Sequence, residues 1–258
     1  MAAQDVTPRY DAIGHGYAAR RREDPTVAAL IAVALGTART VVNVGAGAGS
    51  YEPGDRHVIA VEPSDVMAAQ RPAELAPAIR AGAAALPLRD GSVDAAMAIM
   101  TVHHWDADRE RGVRELRRVA RGPVVILTYD PEVSGAMWLM ADYLTEVGAM
   151  DRAICPPPRQ LAGWLGGDAR VHTIPVARDT PDQTLLSFWA HPERVLDPAA
   201  RAATSGFARQ PRDVVERVVA DVRRDLASGA WDERHGHLRT LDAYDAGLRL
   251  VVAPPPRP

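Results

Sequence analysis

The residues best equipped for chemistry begin with the loop Gly45-Ala46-Gly47-Ala48-Gly49, directly after the β-branched run Val41-Val42-Asn43-Val44. Glycine at every second position permits tight turns and brings the main chain close to a nucleotide-like ligand. Nicotinamide, flavin and phosphate sites all use such loops, so the residues behind the later apolar runs must discriminate. The run His57-Val58-Ile59-Ala60-Val61 ends at Glu62-Pro63-Ser64, where the Glu62 carboxylate can accept hydrogen bonds from both hydroxyls of a ribose. Ala83-Ala84-Ala85-Leu86-Pro87 is small and apolar, suited to the face of an adenine. Thr101-Val102-His103-His104-Trp105 follows the run Val93–Met100, and Thr128-Tyr129-Asp130 follows Pro123–Leu127. Histidine titrates in a range useful to a general base, so His103 and His104 are the candidate catalytic residues. The alternative is that their rings pack against the sheet. Tyr129 and Asp130 either line an acceptor pocket or, through Asp130-Pro131, start a helix.

These positions all fall just past predicted strands. Strands are expected at Thr40–Val44, His57–Val61, Ala78–Arg80, Val93–Met100, Pro123–Leu127, Arg170–Val176 and Leu248–Val252. Helices are expected at Pro25–Leu35, from Ser64 through Gln70, and at Glu110–Val119. Alternation of this kind predicts an α/β fold, doubly wound around a mostly parallel seven-stranded sheet. Ligands of such sheets lie beyond the carboxyl ends of the strands, near the switch in strand order. The second half changes character after the rigid break Cys155-Pro156-Pro157-Pro158. From Thr184 to Ala246 the pattern is mostly helical, with Val214, Val218, Val222 and Leu226 marking one packed face. The expected organisation is an N-terminal lid over 1–24, a cofactor-binding domain over 25–183 and 247–253, and a helical insertion over 184–246 that caps the substrate.

Five segments in order resemble one family. They are Asn43-Val44-Gly45-Ala46-Gly47-Ala48-Gly49, Val61-Glu62-Pro63-Ser64, Leu86 through Asp94, His103-His104-Trp105 and Glu115-Leu116-Arg117-Arg118-Val119. Together they look like the class I S-adenosylmethionine-dependent methyltransferases, in the "type 11" group similar to ubiquinone and menaquinone biosynthesis enzymes that act on small molecules. The resemblance covers roughly residues 25 to 130 and implies a Rossmann-like sheet, with S-adenosylmethionine as cofactor. By position it implies that Gly45, Gly47 and Gly49 border the methionine part of the cofactor, that Asn43 accepts from its amine, and that Ala46 and Thr101 also bind the cofactor. Glu62, with Pro63, Ser64 and Met67 beside it, would hold the ribose, and Ala83 and Ala84 would meet the adenine. The family's N-terminal region folds over the cofactor, and Tyr10-Asp11 with Tyr17 and Arg20 resembles that lid. Tyr17 and Arg20 are the candidates for the cofactor carboxylate. Two departures stand out: Asn43 replaces the usual acid at the end of the first strand, and the acid expected before the adenine loop would fall near Gly82.

Composition narrows the remaining classes. All 30 basic side chains are arginine, which excludes a lysine Schiff base and a Walker lysine within this sequence. A formal net charge of −3 gives no electrostatic reason to expect a nucleic-acid partner. One cysteine, Cys155, excludes a disulfide framework, and His235-Gly236-His237 lacks a third ligand nearby, so no metal site is expected. His15 reads as a solvated loop residue. No apolar stretch spans a membrane and no leader pattern opens the chain, so a cytoplasmic monomer or homodimer is expected. The sequence therefore predicts methyl transfer from S-adenosylmethionine to a small-molecule acceptor at O, N or C, in secondary metabolism. Few charges at predicted pocket positions favour an uncharged acceptor. The alternatives are an NAD-dependent oxidoreductase, disfavoured by the Gly-x-Gly-x-Gly spacing, and a non-methylating protein that binds the same cofactor.

Overall fold

Strand β1, Thr40–Val44, is buried from Val41 onward, and β-branched residues on both faces make it fit the centre of a sheet. The computed structural model describes residues 22–256. Strands β2 (His57–Val61), β3 (Ala95–Ile99), β4 (Val124–Tyr129), β5 (Arg170–Thr173) and β8 (Leu248–Ala253) complete a six-stranded sheet of order β2-β1-β3-β4-β8-β5. Strand β1 pairs in parallel with both β2 and β3, and β3 with β4, whereas β8 runs antiparallel to both β4 and β5. The switch in strand order therefore falls at β1. The glycine loop and the end of β3 lie on either side of it.

Six strands stand where seven are expected. The segment Ala78–Arg80 contributes only a bridge: Ile79 donates to Ala60 O at 2.8 Å and accepts from Glu62 N at 3.0 Å. Pro77 has no amide hydrogen to extend the ladder, and Arg80 turns its guanidinium to the carbonyls of Glu62 and Pro63. The run Arg170–Val176 also divides. Pro175 interrupts it, and β6 (Val176–Ala177) pairs instead with β7 (Ala243–Tyr244) as a separate antiparallel ribbon. The helix expected from Ser64 through Gln70 stops at Ala68, with Ser64 Oγ accepting from Met67 N as its cap.

The helix Pro25–Leu35 opens on an Asp24 cap and Pro25, and buries Val27, Ile31 and Leu35 against one sheet face. On the other face Arg109–Val119 buries Val113, Leu116 and Val119, alongside Leu161 and Leu165 of the helix Pro158–Leu165. The second half forms a distinct hydrophobic cluster around Trp138, Phe188, Trp189 and Trp231. Its longest helix, Arg212–Ser228, buries Val218 and Val222, with Val214 and Leu226 packed at the margins. Met137 through Val147 joins this cluster too, although the sequence places that segment with the sheet. The stretch 184–246 is a series of short helical pieces around that one long helix, rather than continuous helix.

Candidate functional site

Strand β1 delivers the chain into the glycine loop, where Gly45, Gly47 and Gly49 all adopt positive φ, at 70°, 52° and 100°. Gly45 and Gly49 also have no room for a side chain. A Cβ on Gly45 would meet Thr101 Oγ1 at 2.1 Å, and one on Gly49 would meet Leu75 Cδ1 at 2.3 Å. The Gly45 and Ala46 amides donate to Val61 O at 2.8 and 3.0 Å, which fastens the loop to the end of β2.

Glu62 completes that fastening. It is 6 % exposed, and its two carboxylate oxygens accept from Gly47 N and Ser64 N, each at 2.8 Å. Burial pushes its pKa up, against the two backbone amides and the more distant Arg80 and Arg71, which pull it down. A carboxylate has lone pairs beyond these two bonds, so ribose hydroxyls can still be accepted. Pro63 is exposed, Ser64 caps the short helix after β2, and Met67 of that helix packs over Gly47.

Asn43 is 1 % exposed, and its Nδ2 donates to Glu52 Oε1 at 3.0 Å. Glu52 in turn is held by Arg71 in a bidentate pair at 3.1 and 2.8 Å, with both side chains at most 4 % exposed. The carboxylate missing from the end of β1 is thus present in space, nine residues further on. Arg71 also donates to Gly47 O and Ala76 O. Sequence reasoning missed this cluster because no periodicity links its members. Asn43 Oδ1 remains buried with no partner among the described residues. An orphaned acceptor at the base of a glycine cradle fits the amino group of a bound amino-acid moiety.

Opposite, Ala83 is buried, while Gly82 is exposed with open space around it. The neighbouring loop is clamped. Glu115 accepts from Leu86 N at 2.9 Å, and Arg118 bridges Glu115, Asp90 and the carbonyls of Leu86 and Leu88. Asp94 accepts from the Arg39 and Thr40 amides and from Arg121, which ties the entrance of β1 to β3 and holds its carboxyl well below the usual range. Two of the five recognised segments, Leu86 through Asp94 and Glu115 through Val119, are thus bound to each other.

Past β3, Met100 takes a left-handed backbone at φ 52°, a costly conformation for a residue with a side chain, and Val102–His104 forms a single 3-10 turn. His103 is 8 % exposed; its ring lies 3.9 Å from that of His104 and 5.4 Å from that of Tyr129. Met100, His103 and Tyr129 form the sheet-side wall of a cavity of about 80 Å³. Asp151 and Thr204 are among the residues closing it from the helical side, while His104 does not line it. Asp130 is a helix cap, accepting from Glu132 N. Asp151, absent from the sequence-based candidates, lines the cavity through a helix that carries no recognisable motif. His235 bonds Asp142 at 2.8 Å and packs on Trp231, far along the chain from His103. Tyr17, Arg20, His15 and almost all of the expected lid lie outside the described residues.

Residues 42–126 match the family model described as a methyltransferase domain. No curated protein sequence matches the chain. Among solved structures, a candidate methyltransferase from an antibiotic biosynthesis pathway of Anabaena variabilis is 27 % identical, with a TM-score of 0.81, covering 91 % of this chain and 98 % of that one. The geranyl diphosphate C-methyltransferase of Streptomyces coelicolor, solved with S-adenosylhomocysteine, shares the fold at 17 % identity and a TM-score of 0.51, over 90 % of this chain and 77 % of its own. The [4+2]-cyclase SpnF does so at 17 % and 0.56, over 99 % and 97 %. Sheet order, glycine loop and domain match thus converge on one region: residues 42–126 are similar to a methyltransferase domain.

Proposed function

We propose that the protein is an enzyme that methylates a small molecule, with S-adenosylmethionine bound in the cradle after β1 and β2 and the acceptor in the cavity beside His103. The observation that carries this reading is the adjacency of the two sites. Thr101 packs on Gly45 of the cradle, and two residues later His103 walls the cavity. Asn43 and the glycine loop would hold the amino-acid part of the cofactor, Glu62 its ribose, and Ala83 with Ala84 its adenine. Tyr17 and Arg20 remain the proposed contacts for its carboxylate. When bound, S-adenosylmethionine supplies an electrophilic methyl on a sulfonium that departs as a neutral thioether.

The chain's own residues orient the acceptor and exclude water, and His103 would touch it. Likeness to a candidate antibiotic-pathway methyltransferase supports a secondary metabolite as acceptor. The net charge of −3 supports a small molecule over a nucleic acid. No helix among the described residues is long and apolar enough to cross a membrane, consistent with the proposed cytoplasmic location.

Calorimetry with S-adenosylmethionine, S-adenosylhomocysteine and NAD in parallel tests the reading. Both sulfur compounds should bind and NAD should not; binding of NAD alone would overturn it. Glu62→Ala should weaken S-adenosylhomocysteine by about tenfold or more, the worth of hydrogen bonds to a charged group. An unchanged affinity removes the ribose assignment.

A further inference from the structure

At the seam between the sheet and the helical half lies a three-residue chain of polar side chains. Cys155 Sγ donates to Tyr129 Oη at 2.9 Å, and the Tyr129 hydroxyl is near enough to the Asp151 carboxylate to favour its charged form. Cys155 follows the helix Thr145–Ile154, Asp151 sits on its last turn, and Tyr129 ends β4. Tyr129 and Asp151 both line the cavity. Most of the remaining wall is soft and apolar, including Met100, Met140, Val147 and Met150, which suits a flat hydrophobic guest.

Only one member of this chain can exchange a proton near neutral pH. Burial pushes the Cys155 thiol up to about 12 and the Tyr129 hydroxyl well above its usual value. Burial also raises the Asp151 carboxyl, to about 6, against the lowering effects of the Tyr129 hydrogen bond, Arg209 and Arg152. At neutral pH it is therefore mostly ionised, yet more basic than an ordinary aspartate, which is what a general base requires.

We propose that Asp151 is the catalytic residue that binds the hydroxyl of an aromatic or similarly apolar acceptor and takes its proton, with Tyr129 as its positioning residue. The acceptor O–H bond breaks, its electron pair stays on oxygen as the nucleophile, and the proton passes to a carboxylate oxygen of Asp151. Tyr129 and Asp151 both line the cavity, so a guest hydroxyl can reach the carboxylate there. This rests on the methyltransferase reading above and names the acceptor class for it: alcohols of phenol type.

Phenol and its methyl ether, anisole, serve as paired probes in ligand-observed NMR titrations of the full chain. Wild type should prefer phenol by about tenfold at neutral pH, the worth of a hydrogen bond to a charged group. That preference should fade as pH drops through about 6, where Asp151 takes up a proton. Asp151→Asn, close to isosteric, should reduce the preference to a few-fold and remove its pH dependence while leaving anisole unchanged. Tyr129→Phe removes a donor to the carboxylate, so the midpoint should move upward, a shift that a merely structural tyrosine would not cause. Equal binding of the two probes, binding of neither, or an unaltered preference in Asp151→Asn overturns the assignment. S-adenosylhomocysteine affinity, measured on the same samples, should be the same in wild type and Asp151→Asn. Its absence in wild type would instead sink the methyltransferase reading, leaving the phenol and anisole comparison to judge Asp151 separately.

Discussion

The sheet half and the helical half use their polar residues in opposite ways. In the sheet half, buried charges are closed into networks with backbone: Glu62 with the Gly47 and Ser64 amides, and Arg71 with Glu52, Gly47 O and Ala76 O. In the helical half, ion pairs such as Arg212–Glu216 and Arg234–Asp225 keep at least one partner well exposed, and the interior is a cluster of aromatics. Closed networks fix loops to strands, which suits a cradle for a ligand of constant shape. A deformable apolar wall suits a partner that differs between relatives. Tyr129, Asp151 and Cys155 lie where the two styles meet, and there, among the described residues, the one carboxylate of the cavity wall is found.

The largest effect should come from opening the most buried network. Arg71→Ala leaves Glu52, itself 2 % exposed at its side chain, without its counterion and with only the Asn43 amide as partner. The cost should be about 3–5 kcal/mol of stability, read by urea unfolding. A loss below about 1 kcal/mol, the range of exposed pairs, would erase the contrast between the halves.

Gly45→Ala should come next. Its Cβ combines a φ of 70° with the 2.1 Å approach to Thr101 Oγ1, so S-adenosylhomocysteine affinity should fall by about tenfold or more. Adding Thr101→Ala should recover part of the loss. If it recovers none, the backbone angle rather than close packing makes glycine necessary there.

The smallest effect sharpens the contrast at the seam. The Asp151 carboxyl rises from 3.8 unfolded to about 6 folded, so its protonated form is the one folding favours. Its contribution to stability is fully present below 3.8 and is lost as pH rises through about 6. Asp151→Asn should therefore gain in melting temperature relative to wild type between acid and neutral pH, with the gap constant above that window. A gap that shrinks as pH rises would mean the carboxylate is stabilised, not strained, by its surroundings.

What the sequence determined by itself is the cradle and the strands that deliver it. Thr40–Val44 and Gly45 through Gly49 are contiguous, as are His57–Val61 and Glu62, so an apolar run and the chemistry at its end are read together. Ala78–Arg80 reads as a strand for the same reason, yet local pattern cannot show that Pro77 and Arg80 leave only one residue free to pair. Tertiary structure alone decided the rest. Glu52 reaches Asn43 across nine residues and Arg71 across nineteen, and Cys155 reaches Tyr129 across twenty-six. Asp24 meets Thr180 at 2.7 Å across 156 residues. Such pairs share no period and no motif, because they form where separate elements cross, and the energy of a buried hydrogen bond depends on that crossing and not on neighbours in sequence.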